Sequence, residues 1–467
     1  MNQIMSRTAS FVVAAGILLL GFAAPARAMK IERVVSPGGI EAWLVEETQV
    51  PVIVMQVAWK GGSAADPKGK EGLANMVSGL LDEGAGDMDS ETFQKKLDDL
   101  AVQLSFSEGR DTFTGSLKTL AEKRDEAFAL FAVAITKPRF DADPIERIRG
   151  QILSGLARNM EDPDWIASNA WNHAAYGDHP YAHPRDGMPE SVARITRDDL
   201  VGFTRHVLAR DNLKIAVVGP ITAAELGALL DKTFGALPSS ANLPTIPDIT
   251  IAAKGQTTVI KRAYPQSIAL FGLQGLKRKD PDFIPAFVMN YVLGGGGFSA
   301  RLTQEVREKR GLAYSVGTDL NPLDHAATLV GSVGTRNARM GQSLAVIKAE
   351  LERMAGSGLS EKELADAKTY LTGSYPLRFA SNDDIAGQLL GIQMEDLGID
   401  YVDRRNGLIE AVTQADTARV AKRLLKPENL IITIVGEPDL TVKPGGLAPD
   451  PGMIPRTPSG PSEAAPR

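Results

Sequence analysis

The chain of 467 residues contains no cysteine, only five histidines and 6% aromatic residues. The lack of cysteine excludes a disulfide framework, a thiolate zinc site and a lipid-bearing cysteine after a leader. Apart from residues 1–28, no stretch is long and apolar enough to predict a transmembrane helix. Acidic residues outnumber basic ones, and the formal net charge of −6 at pH 7 argues against nucleic acid or an anionic membrane as the partner.

Residues 1–28 have the pattern of a secretory leader. A short segment precedes the apolar run from Phe11 to Ala24, and the small residues Ala26 and Ala28 flank Arg27 at a typical cleavage site. We therefore predict a signal peptide over residues 1–28, which places the mature chain in the periplasm or outside the cell. The alternative is an uncleaved membrane anchor, which the shortness of the apolar run disfavours.

The rest of the sequence contains the same arrangement twice. The segment RDNLKIAVVGPITAAEL resembles PENLIITIVGEPDL, and their asparagines, Asn212 and Asn429, are 217 residues apart. Two amphipathic segments that start at Asp143 and Ser360 keep the same spacing. A period this long indicates a duplicated domain and not a solenoid of short repeats.

The composition divides the chain around this duplication. We expect an N-terminal domain over residues 29–235 and a C-terminal domain over residues 256–442. Residues 236–255 are rich in Pro and Ser and poor in charge, which is typical of a linker between domains. Residues 443–467 contain too much Pro and Gly to pack, and we predict a disordered tail there.

Strand and helix patterns alternate irregularly within each half. PVIVMQVAW, residues 51–59, predicts a strand, and the alternating residues 102–120 predict a hairpin around a glycine turn. Apolar spacing predicts helices over residues 70–83, 90–100, 119–134, 143–160 and 222–234. Hairpins beside helices indicate an α+β fold class, with two homologous domains that each pack helices on one face of a mostly antiparallel sheet.

The stretch GLANMVSGLLDEGAG, residues 72–86, has the periodicity of an amphipathic helix. Its apolar residues recur at helical spacing: Leu73, Met76, Val77, Leu80 and Leu81. The opposite face carries Asn75, Ser78 and Gly79. In a zinc-binding helix of the inverted H-x-x-E-H type, these three positions hold His, Glu and His. We call them the degenerate metal positions.

A second motif, LGGGGFSARLTQEVREKRGLAYSVGTDL, covers residues 293–320. Four glycines precede a predicted helix whose apolar stripe is Phe298, Leu302 and Val306; Gly311 ends this helix, and LAYSV predicts a strand. Arg307 and Tyr314 lie seven residues apart across the helix end. From the residues alone, an exposed helix Arg and a half-buried strand Tyr without a functional role is the favoured interpretation. The glycine spacing matches no nucleotide-binding motif.

Together these features resemble the pitrilysin-type inverzincin peptidases, which include insulin-degrading enzyme and the mitochondrial processing peptidase. The resemblance covers about residues 30–440. It implies two homologous α+β halves that form half of a clamshell. It also implies that active members carry G-L-A-H-x-x-E-H in the first half and a third zinc ligand on a later helix. The second half of the same or a partner chain supplies an Arg/Tyr pair.

Carried over residue by residue, the resemblance divides into a retained part and a lost part. Arg307 and Tyr314 keep the Arg/Tyr pair, whereas the third zinc ligand falls on Ser154 and Gly155. Zinc needs three nitrogen or oxygen ligands and an open water position, and the residues at the degenerate metal positions cannot supply them. We therefore expect no metal on this chain. The resemblance implies a role in substrate binding for the glycine run, Gly294, Gly295, Gly296 and Gly297.

The histidines do not offer a replacement metal site. His179 and His183 lie in YGDHPYAHPRDG, where Pro and Gly break any helix, so their spacing of four does not place them on one helical face. The segment resembles a structural segment of the same family.

The predicted function is that of a non-catalytic subunit of a secreted heterodimeric zinc metallopeptidase. A homologous partner chain with H-x-x-E-H would carry the zinc and cleave peptide substrates, and this chain would contribute Arg307 and Tyr314 to its active site. The alternative is a catalytically dead scaffold for peptide binding or assembly. We also expect peptides to bind as an added strand at a sheet edge near residues 51–59 or near their counterpart in the partner, since main-chain hydrogen bonds tolerate varied sequences.

Overall fold

The computed structural model of the protein describes residues 29–251 and 255–442. Its first sheet has the spatial order β1-β2-β6-β3-β5-β4. Its strands, in chain order, are Glu32–Val35, Glu41–Glu46, Val52–Lys60, Gln103–Glu108, Thr112–Leu120 and Leu213–Gly219. The β2–β6 pair is parallel and the other neighbours are antiparallel. The predicted strand and hairpin are therefore confirmed as β3 and as β4–β5.

The second sheet repeats this arrangement. Its strands are Gln256–Lys261, Gln266–Gln274, Ser315–Pro322, Ala327–Arg336 and Ile431–Gly436, numbered β7 to β11. Their spatial order, β7-β11-β8-β10-β9, is that of β2-β6-β3-β5-β4 in the first sheet, and again only the first pair is parallel. Two α+β domains with the same sheet order confirm the predicted fold class and the duplication.

Fourteen α-helices accompany the sheets in the described part of the chain. The first eight, α1 to α8, are Leu73–Ser78, Ser90–Asp99, Arg124–Thr136, Ala142–Asn159, Pro163–Tyr176, Pro189–Val192, Arg197–Val207 and Ala223–Phe234. The remaining six, α9 to α14, are Phe283–Asn290, Met340–Ser357, Glu361–Gly373, Asn382–Met394, Tyr401–Glu410 and Gln414–Leu424. The predicted helix at 119–134 begins later, at Arg124, because β5 continues to Leu120.

One helix of each half packs on the sheet of the other half. Helix α5 packs on β8 and β11, and its Trp171 indole N–H donates to the carbonyl of Ile431 at 3.0 Å. Helix α12 packs on β3 and β6, and the Gln393 side-chain amide donates to the carbonyl of Ile215 at 3.0 Å. The helices of each half cover one face of its sheet as predicted, and the exchanged helix covers the other face.

This exchange explains the nearly continuous apolar sequence of β3. Met55 and Val57 face the core formed by the first half's own helices, whereas Val54 and Ala58 face α12. A strand that is buried on both faces carries apolar residues at successive positions. Because the two faces of β3 pack on helices from different halves, apolar packing on this strand holds the halves together.

The segment between the halves, residues 241–251, forms neither helix nor strand and contacts both of them. The Asn242 N–H donates to the carbonyl of His206, and the Ile249 N–H donates to the carbonyl of His325, each at 2.8 Å. His179 lies 2.9 Å from the carbonyl oxygen of Pro247 through its ring nitrogen. His179 is thus a contact of the segment that joins the halves, in line with a structural role.

The predicted signal peptide, 1–28, and the predicted disordered tail, 443–467, lie outside the described residues. Within residues 29–251 and 255–442, no helix has both the length and the apolar character needed to cross a bilayer.

Candidate functional site

The degenerate metal positions lie on the short helix α1. The helix begins after Gly72, whose φ of 95° permits the sharp turn into it, and buries Leu73, Met76 and Val77 in the first core. On its other side, the Ser78 hydroxyl donates to the carbonyl of Asn75 at 2.8 Å. The amphipathic pattern read from the sequence is therefore present, although the α-helix ends at Ser78 and not near residue 83.

The positions expected to face the lost metal lie on α4. A Cβ added to Gly79 would lie 3.3 Å from Cγ2 of Ile148, so an apolar side chain of α4 packs where the second histidine would begin. Ser154 is exposed and Gly155 is half-buried on the same helix. These residues and the degenerate metal positions do not fit a zinc ion. The described residues contain no cluster of three or more His, Asp or Glu that could hold one.

One carboxylate near α1 escaped the sequence analysis. Glu108 ends β4, and burial raises the pKa of its carboxyl, while Arg185 and the Ser78 hydroxyl partly oppose that shift. No local pattern marks this residue, because only the fold brings β4 next to α1. A single carboxylate without further ligands does not restore a metal site.

The Arg/Tyr pair forms a contact in the second half, together with an aromatic residue that the sequence analysis misplaced. The Arg307 guanidinium lies 4.9 Å from the ring centroid of Phe298 and 5.2 Å from that of Tyr314. Phe298 is 66% exposed and Tyr314 is 82% exposed. The prediction that Phe298 belongs to the buried stripe is therefore wrong, whereas Leu302 and Val306 are buried as expected.

The backbone around the pair is irregular, which explains the misplacement. Residues Gly297–Ser299 form a 3-10 turn, and Thr303–Glu308 is π-helical, so the residues do not follow regular α-helical spacing. Gly311, with φ of 55°, turns the chain, and β9 begins at Ser315, after Tyr314. Arg307 Nε also lies 3.3 Å from Oε1 of Glu308.

A buried ion pair anchors this segment. Arg301 donates through Nε and Nη2 to the two carboxylate oxygens of Glu363, both at 2.7 Å, and Nη2 also reaches the carbonyl of Gly358 at 3.0 Å. Arg301 is only 9% exposed. These contacts attach the base of the segment that carries Arg307 to α11.

The glycine run divides between packing and surface. A Cβ on Gly294 would lie 2.6 Å from the backbone nitrogen of Thr318, so this buried glycine allows close packing on β9. Gly295 and Gly297 are exposed, Gly296 is half-buried, and Gly297 has a φ of 58° that favours glycine. A role in substrate contact is therefore open to the last three glycines, and Gly294 serves the fold.

The structure does not bring the two groups of predicted site residues together. No hydrogen bond, ion pair or ring contact among the described residues joins the degenerate metal positions to Phe298, Arg307 or Tyr314. The expected sheet edge is also wrong, because β3 lies between β6 and β5 and is internal. The edges of the first sheet are β1 and β4, and β4 is the one that packs beside α1.

The fold and the site define a class of protein: a duplicated α+β chain with the layout of an inverted-motif zinc peptidase and an exposed Arg/Tyr pair, whose residues 29–251 and 255–442 contain no group of metal ligands. Comparison with family models agrees. Residues 44–187 match the insulinase family, peptidase family M16, and residues 194–371 match the peptidase M16 inactive domain. The chain belongs to peptidase family M16.

The names of related proteins include both a non-peptidase and a protease. A non-peptidase homolog, YmxG, of Helicobacter pylori is 28% identical over 74% of this chain and 79% of the relative. An uncharacterized zinc protease of Streptomyces coelicolor is 25% identical over 85% of this chain and 87% of the relative.

Solved structures support the fold. The peptidase M16 inactive domain from Pseudomonas fluorescens is 29% identical, with a TM-score of 0.83 over 89% of this chain and all of that one. The periplasmic protease PqqL from Escherichia coli shares the fold at 15% identity, with a TM-score of 0.74 over 88% of this chain and 46% of that one.

Proposed function

We propose that this chain is the non-catalytic subunit of a heterodimeric zinc metallopeptidase that acts in the periplasm or outside the cell. A homologous chain with H-x-x-E-H would hold the zinc, and this chain would contribute Arg307 and Tyr314 to the partner's active site. The observation that carries the proposal is the contrast between the two sites. The degenerate metal positions have lost every ligand, whereas the Arg/Tyr pair is in contact and exposed.

The chemistry of peptide hydrolysis accounts for such a pair. When water attacks the scissile carbonyl, its oxygen gains negative charge, and hydrogen-bond donors that are already in place stabilise this charge. The Tyr314 hydroxyl is one such donor. Among the described residues it has no hydrogen-bond partner, so it is free to donate to a bound substrate.

The two rings hold Arg307 in a position from which it can also donate hydrogen bonds to a substrate. A guanidinium that stacks on aromatic rings keeps its N–H groups, which point outward in its plane, available for hydrogen bonds. Arg307 lies against the rings of Phe298 and Tyr314, and its Nε lies 3.3 Å from Oε1 of Glu308, which leaves its Nη groups for a substrate. It would hold a neighbouring peptide carbonyl or orient Tyr314, and Phe298 would act as a positioning residue for it.

Peptide capture by strand addition remains part of the proposal, with β4 as the edge. Edge strands present unpaired backbone groups to an extended chain. In the first sheet β4 is an edge and packs beside α1, where the active site of a metal-bearing homologue would lie. In the heterodimer, β4 of the partner would place the peptide at the zinc, and β4 of this chain would bind peptide without cleaving it.

The test is the turnover of the reconstituted heterodimer with Tyr314→Phe. This change keeps the ring and removes the hydroxyl, and loss of one oxyanion donor costs about 10²–10³ in turnover. Tyr370→Phe is the matched control, because Tyr370 is also an exposed tyrosine but lies outside the Arg307 contact. Elution on size-exclusion chromatography and the zinc content of the complex should stay unchanged in both variants.

The second candidate is a scaffold that binds peptides or organises an assembly without taking part in the chemistry. The name of the Helicobacter pylori relative, a non-peptidase homolog, is the observation that favours it. Full turnover of the complex with Tyr314→Phe at saturating substrate would support the scaffold and refute the catalytic role of Tyr314.

A further inference from the structure

A pocket in the C-terminal half lies apart from both groups of candidate site residues. Its volume is about 420 Å³, and helices α9, α12 and α13 form its walls together with the end of β9. Neither the degenerate metal positions nor Arg307 and Tyr314 line it. A volume of this size is in the range of small-molecule sites, which bury most of their ligand.

Three arginines line this pocket without a carboxylate partner. Among the described residues, no Asp or Glu oxygen lies within 4.0 Å of the guanidinium nitrogens of Arg278, Arg378 or Arg405. Arg278 instead donates to the Tyr401 hydroxyl at 2.7 Å and stacks over the Phe283 ring at 4.5 Å. Its charge is therefore met by a neutral hydroxyl and a ring.

Arg405 is the most informative of the three because it is only 7% exposed. Its guanidinium lies 4.1 Å from the Tyr375 ring centroid and donates to the carbonyl of Leu371 at 2.9 Å and to Oδ1 of Asn406 at 3.0 Å. Burial lowers its pKa, and the charge of Arg378 adds to that effect. A buried guanidinium without a counter-charge is costly, and an anion in the pocket would offset this cost.

The acids that line the pocket do not neutralise it. Asp319 and Glu395 face the same space, but neither forms an ion pair with the three arginines. Burial raises the pKa of the Glu395 carboxyl, and the charge of Arg278 opposes that shift only in part. The pocket thus keeps an excess of positive charge inside a concave wall, an arrangement that concentrates anions.

Apart from Asn290 and Gln388, the remaining lining is mainly apolar and aromatic, which indicates the class of the anion. Phe283, Phe287, Leu320 and Ile392 line the space beside the arginines. We infer that this pocket binds an organic carboxylate with an apolar body. The guanidinium groups of Arg378 and Arg405 would receive the carboxylate through charge-assisted hydrogen bonds, and the rings would cover its apolar part.

Occupation of the pocket would also act on the joint between the halves. Helix α12 lines the pocket through Ile392 and Glu395 follows its last turn, while other residues of the helix pack on β3 and β6 of the first sheet. A ligand that binds the folded protein alone stabilises it by mass action. The carboxylate is therefore expected to raise the melting temperature of the chain.

The test uses phenylbutyrate as the probe, with calorimetric titration and thermal unfolding of the full chain. Phenylbutanol has the same apolar body without the charge, and inorganic phosphate has the charge without the body. We expect saturable binding of phenylbutyrate with a dissociation constant at or below about 1 mM and a rise in the melting temperature of the chain. Both comparison compounds should bind at least tenfold more weakly.

Two variants complete the design. Arg378→Gln removes an exposed member of the cluster, so the chain should fold normally and bind phenylbutyrate at least tenfold more weakly. Arg336→Gln is the control, because Arg336 is exposed at the end of β10 and does not line the pocket. The inference is overturned by absence of saturable binding, by equal binding of phenylbutanol or phosphate, or by unchanged affinity in Arg378→Gln.

Discussion

The ion pair that supports the Arg307 segment gives a prediction with a calculable magnitude. The Arg301 guanidinium, together with hydrogen bonds from the backbone N–H and the hydroxyl of Ser360, holds the pKa of Glu363 at about 2, against an ordinary value of 4.5. This difference corresponds to an upper bound of about 3 kcal/mol. The Glu363 side chain is 32% exposed, so solvent screening reduces the expected contribution to about 1–2 kcal/mol.

We expect Glu363→Gln to lower the free energy of unfolding by about 1–3 kcal/mol at neutral pH, since it also leaves the buried Arg301 without its counter-charge. The depressed pKa fixes the sign of the pH dependence. The stabilisation is fully present above about pH 4.5 and is lost as the pH falls toward about 2. The gap between wild type and variant should therefore narrow as the pH falls through that window.

Urea unfolding followed by far-ultraviolet circular dichroism measures this gap. Glu361→Gln is the matched control, an exposed glutamate in the first turn of the same helix. If Glu363→Gln differs from this control by less than about 0.5 kcal/mol at neutral pH, or if the gap does not depend on pH, the reasoning fails.

Three further predictions concern function. Phe298→Leu should lower turnover of the heterodimer by about twofold to fivefold, which corresponds to the loss of one exposed cation–π contact. Phe298→Tyr keeps an aromatic ring and should retain wild-type turnover; equal loss in both variants would contradict the role of the ring. Metal analysis should find no stoichiometric zinc on the isolated chain. Restoring His, Glu and His at the degenerate metal positions should give at most weak binding, because Ile148 packs against Gly79 and no third ligand is present; one tightly held zinc in the restored chain would refute this. Proline placed at successive positions of a model substrate should weaken binding at alternate positions if the peptide adds to β4, and no effect at any position would exclude strand addition.

The strand β3 shows how far the sequence carries the fold. Its apolar run predicted a strand at 51–59, and the structure has it at Val52–Lys60. Its place in the sheet was predicted wrongly, at an edge, although a run that is apolar at successive positions indicates burial on both faces. What covers the second face, α12, comes from a segment more than three hundred residues away, and no local pattern indicates that exchange.

The Arg/Tyr pair was predicted from the family resemblance, because the spacing of seven residues did not by itself indicate a contact. The structure has the Arg307 guanidinium against the Tyr314 ring. Phe298 was assigned to the core because regular helical spacing puts it in line with Leu302 and Val306. The turn at Gly297–Ser299 breaks that line and leaves the ring at the surface against Arg307.

The packing of α1 explains why the loss of metal ligands is compatible with a stable fold. Its core side is complete, and its N-terminus is held by Asp66, which accepts hydrogen bonds from the backbone of Gly72 at 2.9 Å and of Ala74 at 3.0 Å. The degenerate metal positions lie on the opposite side of α1, so the residues present there do not interrupt the contacts of Leu73, Met76 and Val77 with the core.

The reverse holds for Tyr314. Its ring is 82% exposed, and changes at such surface positions typically alter stability by less than about 0.5 kcal/mol. The Tyr314 hydroxyl, and an arginine against two exposed rings, therefore contribute little to the stability of the fold. Within the described part of the chain that hydroxyl has no acceptor, and in the proposed function its acceptor would be the developing oxyanion of a substrate held by another subunit. For this reason activity of the mixed complex, and not stability of the isolated chain, is the measurement on which the proposed function depends.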